Sequence, residues 1–125
     1  QTQNAVPMPE GEDAAEVLRH YIGSLVRFID GRVGRTIAEL LGMAQSNPAV
    51  FDAFHARFLT ERRDHGRQII LRGQRDGVFR ADLDSELVID LYAGPIYFRA
   101  FARHGPLDDA FAQELADRVL TALRV

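Results

Sequence analysis

Cysteine is absent from the chain, so neither a disulfide framework nor thiolate chemistry is open to it. Lysine is absent as well. All 15 cationic residues are arginine, which reads as the coding bias of a GC-rich genome. The net charge of −3 leaves no cationic excess for gripping a polyphosphate backbone. No apolar run reaches the length of a bilayer span, and the longest, residues 87–102, carries Asp90 and Arg99 inside it. The opening QTQNAVPMPEG has neither the basic region nor the apolar stretch of a signal peptide. Strand alternation, internal repeats, a glycine-rich phosphate loop and a Ser–His–Asp pattern are all missing. These absences suit a cytoplasmic protein that is not an enzyme, and no cofactor is expected.

What remains is 125 residues, 46% apolar and 26% charged, the balance of one globular domain. Residues 1–11 read as a linker, from their Pro, Gly and amide content. Residues 12–125 read as a single all-α domain of about five helices. The chain is expected to be part of a longer protein whose remainder lies N-terminal.

The spacing predicts helices over 12–30, 32–45, 48–76, 84–104 and 108–123. In the first, Leu18, Tyr21, Ile22, Leu25, Phe28 and Ile29 recur at steps of three and four. In the second, Val33, Ile37, Leu40, Leu41 and Ala44 share a face. Asn47-Pro48 is a cap followed by a proline at a position where its missing N–H is not needed. The third helix opens with Phe51, Phe54, Phe58 and Leu59. A polar stretch, TERRDHGRQ, precedes its Ile69 and Ile70, and Gly66 marks a kink or a close approach. Asp76-Gly77 ends it, and Asp84 caps the next.

The fourth helix, LVIDLYAGPIYFRAFA, is apolar almost all round, whereas an outer helix has one wet face. Leu87, Leu91, Gly94, Phe98 and Phe101 form one side. Ile89, Tyr92, Ala93, Ile96 and Ala100 form the other. One side can pack on the chain's own helices, and the second calls for a further cover. The last helix also has an apolar arc wider than one neighbour needs. The five helices are expected in an orthogonal or antiparallel bundle, and paired with symmetry mates the last two would make a four-helix interface of two-fold symmetry. The helical wheel does not say which side is which.

The segment RDGVFRADLDSELVIDLYAGPIYFRAFARHGPLDDAFAQELADRVLTAL, residues 75–123, resembles the C-terminal domain of TetR-family transcriptional regulators. The likeness lies in the Gly ending a long helix, the Asp-rich cap and the apolar helix with Gly-Pro, aromatics and Arg. A Gly-Pro-Leu turn and a final helix starting near Asp-Asp-Ala-Phe complete it. It implies a bacterial homodimer that binds a small effector, which releases DNA from a helix-turn-helix domain preceding this one. No helix-turn-helix precedes Glu12, so DNA contact is expected only through that other domain.

A pocket in such a domain should be apolar with a few polar groups. Phe54, Phe58, Leu91 and Phe98 are its candidates, with Met43 and Tyr97, and each has core packing as its alternative. Tyr92, Ile96 and Arg99, with Phe111, Leu115 and Val119, are the candidates for the dimer interface. Arg99 needs a partner in its apolar setting. Arg62, Arg63, Arg67, Arg72 and Arg75 read as a solvated helix face. Asp52 and His55, three apart, make one poor copy of a motif that a di-iron bundle needs twice, so no metal is expected. A helical enzyme using these His and Asp residues, or a dimerisation module without an effector, are the competing readings.

Overall fold

The computed structural model describes residues 12–125, and the expected linker lies outside them. The helices are α1 (Ala14–Ile29), α2 (Arg32–Ala44), α3 (Pro48–Phe54), α4 (Thr60–Arg75), α5 (Ser85–Ala102) and α6 (Asp109–Leu123). Between α3 and α4 lies a wider turn of π-helix, His55–Leu59, so that α3, this turn and α4 continue one another. The result is five helical rods, as the spacing predicts. Among the described residues no strand occurs, and a single antiparallel bridge pairs Phe79 with Arg124.

Each rod begins where local chemistry tells it to. Asp13, Asn47, Asp84 and Asp108 cap α1, α3, α5 and α6, each side chain accepting a first-turn backbone N–H. Only α2 starts on a glycine, Gly31, whose φ of 80° lets the chain turn sharply out of α1. The tight turn presses Gly34 against the carbonyl of Ile29, where a Cβ would collide.

α1 is the central rod. Its Leu18, Ile22, Val26 and Ile29 are fully buried, and it touches α2, α4, α5 and α6. Around it pack Ile69 and Ile70 of α4, Ile89, Tyr92 and Ile96 of α5, and Leu120 and Leu123 of α6. Burying each such side chain contributes about 1.5–3 kcal/mol. On α2 only Ile37 and Ala44 of the expected face are buried, while Val33 and Leu40 stand open.

Two glycines set helix spacing. At Gly66 the Tyr92 hydroxyl occupies the place of a side chain, so close packing and not a kink is its role. At Gly73 the ring of Phe79 does the same. Gly77, with φ of 76°, turns the chain back, and Gly73 accepts from the N–H groups of Val78 (2.9 Å) and Phe79 (3.0 Å). Arg80 N–H then donates to the Leu123 carbonyl at 2.8 Å, tying the end of α6 to this turn.

α4 and α5 are clamped on their outer side. Arg63 meets Glu86 at 3.0 Å and Asp90 at 2.9 Å, and Arg67 meets Glu86 at 2.6 Å and Asp64 at 2.9 Å. Hydrogen bonding from Arg67 holds the Glu86 carboxyl below the usual carboxylate range, with Arg63 adding to it.

Candidate functional site

Two regions hold the expected site residues: an apolar face on α5, and an aromatic and polar cluster beside the π turn. α5 continues through Pro95 to a left-handed cap at Arg103 (φ 54°). Its Ile89, Tyr92, Ile96 and Ala100 point into the chain's own core. Leu87, Leu91, Phe98 and Phe101 point away, between 45% and 61% exposed.

This placement corrects the expected residues. Tyr92, Ile96 and Val119, expected at an interface, are 1%, 0% and 5% exposed within the single chain and have no surface left to offer. Leu91 and Phe98, expected in a pocket, lie on the outward side. The tertiary neighbours of α5 make this choice, since its two apolar sides are equivalent by sequence. Phe111 and Leu115 are half-buried at the flank of the core. Arg99 does find partners: its Nη1 donates to the Pro106 carbonyl at 2.8 Å and its guanidinium lies 4.1 Å over the Phe111 ring. Met43 is exposed and lines neither of the two voids described below.

The remaining three pocket candidates do come together. Phe54 and Phe58 stack at 5.2 Å, and Phe58 meets Tyr97 edge-on at 6.2 Å. Phe28 of α1 closes the group, 6.5 Å from Phe58. The cause is the π turn. Thr60 N–H reaches the His55 carbonyl five residues back, and the Thr60 hydroxyl donates to the same oxygen at 2.9 Å. The widened turn sets the phase of Phe58 relative to α4. Such turns recur at functional sites. On one side of it a cleft of about 400 Å³ opens, walled by Leu40, Val50, Ala53, Phe54 and Phe58, with Asn47 and Arg57 as polar neighbours.

A separate small cavity of about 20 Å³ is lined by Tyr21, Arg62, Tyr92 and Tyr97 among others. Tyr21 donates its hydroxyl to the Arg62 carbonyl at 3.1 Å and meets the Tyr92 ring edge-on at 6.1 Å. Arg62 is not on a solvated face. Its guanidinium lies 4.2 Å over Phe28 and 4.7 Å over Phe58. The Tyr92 hydroxyl, Arg62 Nε and His65 Nε2 are buried without a hydrogen-bond partner. Burial raises the pKa of Tyr92 and of Tyr21, and pushes that of Tyr97 up to about 12, so all three hydroxyls stay protonated. Sequence reasoning missed Arg62 and His65 here. Their signal was present: Phe54, Phe58, Arg62, His65 and Ile69 follow one another at steps of three and four.

His55 and Asp52 are exposed, and His55 lies against Phe51 at 4.2 Å. Among the described residues no group of three or more His, Cys, Asp or Glu could hold a metal ion. Nor is any helix among them long and apolar enough to cross a membrane.

The family described as tetracyclin repressor-like, C-terminal domain, matches residues 8–119. The chain belongs to that family. It is 28% identical over 110 residues to an uncharacterized HTH-type transcriptional regulator, YdeS, of Bacillus subtilis (strain 168), covering 88% of this chain and 56% of the relative. Its fold matches the crystal structure of the TetR family transcription regulator SCO0332 with a TM-score of 0.83, at 24% identity. That match covers 91% of this chain and 63% of the other. The chain thus spans little more than half the length of the relative and under two-thirds of the solved protein. As a tetracyclin repressor-like C-terminal domain, it is the kind of domain that the segment 75–123 resembles.

Proposed function

We propose that this chain is the regulatory part of a TetR-family transcriptional regulator, acting as a homodimer. The outward row Leu87, Leu91, Phe98 and Phe101 carries this reading. Contiguous exposed apolar side chains mark interaction sites, and a helix that self-pairs about a two-fold axis covers such a row with its own copy. Gly94 lies within the row, and no atom beyond its own helix backbone stands within 4 Å of where its Cβ would be, so a partner helix can approach closely there. Half-buried Phe111 and Leu115 extend the apolar area onto α6. Sedimentation equilibrium of the chain should give twice its 14.0 kDa at micromolar concentration. Phe98→Glu should return it to a monomer. A wild-type monomer at that concentration overturns the dimer.

The cleft beside the π turn is the place for a small apolar effector. Its volume of about 400 Å³ lies within the range of ligand sites, and its walls are mostly apolar. Reading of DNA belongs to a helix-turn-helix elsewhere in the protein. Effector binding works as a switch only if it favours one arrangement of the paired subunits over another. In a protein joined to its DNA-reading part, an occupied cleft should weaken operator affinity, and Ala53→Trp, which fills the cleft, should abolish that response. Operator affinity that ignores every ligand shown to bind would leave a dimerisation module.

A further inference from the structure

Resting on the effector reading above, we infer that the ligand is a carboxylic acid with an apolar body, its carboxylate held by Arg62 and the Tyr92 hydroxyl. Tyr92 is 1% exposed, and its hydroxyl lacks any partner. A buried hydroxyl left unpaired costs about 1–3 kcal/mol, so its retention where phenylalanine would fit is informative. Arg62 is the second half of the observation. It has no carboxylate partner among the described residues, whereas Arg63, one residue on, has both Glu86 and Asp90. Its charge is held only by the faces of Phe28 and Phe58, with Nε buried and unbonded.

The choice of an acid follows from charge and donor count. Tyr92 and Tyr97 are protonated, and Arg62 has no carboxylate partner among the described residues, so donors line the cavity together with one unneutralised guanidinium. A cationic ligand would add repulsion. A neutral amide would leave the guanidinium charge uncompensated in partly desolvated surroundings. A carboxylate neutralises it and accepts from the Tyr92 hydroxyl. The cavity of about 20 Å³ has room for one water-sized oxygen. Phe58 forms a wall of the larger cleft and carries Arg62 over the same ring, while no residue lines both voids, so a ligand with its head at Arg62 has to displace the Phe58 ring to lay its body in that cleft.

The test is isothermal titration and thermal shift of the whole chain with two acids, phenylacetate and decanoate, and their amides. At least one acid should bind ten or more times tighter than its amide and raise the melting temperature. Arg62→Gln should remove the preference for the acid. Tyr92→Phe should weaken the acid severalfold without lowering the melting temperature of the free protein, which separates loss of binding from loss of fold. Amides binding as well as the acids overturn the carboxylate assignment and leave the cleft reading standing. Failure of both series to bind overturns the assignment and counts against the effector reading as well. Undiminished acid preference in both variants places the acid elsewhere and overturns the assignment.

Discussion

At the scale of single residues, the close approaches at Gly66 and Gly73 make the sharpest predictions for stability. Ala at either position sets a methyl group against an aromatic side chain that is itself buried on all sides, Tyr92 or Phe79. Overpacking of that kind costs about 1–3 kcal/mol, so urea denaturation of Gly66→Ala and Gly73→Ala should show lowered midpoints. Gly42, which has open space about it, serves as the control: its alanine variant should be neutral or slightly more stable. Paired with Tyr92→Phe, which removes the hydroxyl facing Gly66, the Gly66→Ala change should cost less than it does alone. A double-mutant cycle measures that coupling. Arg62 shows why such sites are hard to read from sequence. In a run of five arginines between 62 and 75 it looks like its neighbours, and only the helical phase it shares with Phe58 sets it apart.

At the scale of elements, the helices were largely legible. Asp13, Asn47, Asp84 and Asp108 announce their helices because a cap is a bond between near neighbours in the chain. The excess apolar surface of α5 was legible too, but not which side of it faces inward. A helical wheel gives the angle between two sides and says nothing of what lies beyond them. Tyr92 and Ile96, expected at an interface, therefore lie in the chain's own core. The π turn left no trace that local rules detect, since HARFL contains neither Gly nor Pro and suits an ordinary helix. Its widened turn holds one residue more than α-helical geometry needs. Deleting Ala56 should therefore heal the rod into α-helix while keeping Thr60–Arg75 in register. The variant should fold, with helical circular dichroism preserved, and should lose ligand binding in the cleft. Retained binding would show that the widened turn does not shape the cleft.

At the scale of the whole molecule, acid and association both act on stability. Glu86 has its pKa lowered in the folded state, chiefly by hydrogen bonding from Arg67. Its contribution is thus present above the unfolded value of about 4.3 and is lost as pH falls through the lower folded value. The melting temperature should decline on acidification below about pH 4.3, and Glu86→Gln should flatten that decline. Its magnitude stays small, because the Glu86 side chain is 44% exposed and water screens the pair. If α5 is covered by a second copy, the melting temperature should also rise with protein concentration, and Phe98→Glu should remove that rise.

The tie between Arg80 and Leu123 has a wider consequence. Arg72 Nη2 also donates to the carbonyl of Glu12, so the start of α1, the end of α4 and the end of α6 gather at one pole of the bundle. Within residues 12–125 the first and last helices therefore meet at one pole. A circularly permuted chain, joined across that pole by a few glycines and opened at the Gly105-Pro106 turn on α5's far side, should refold to the same five rods.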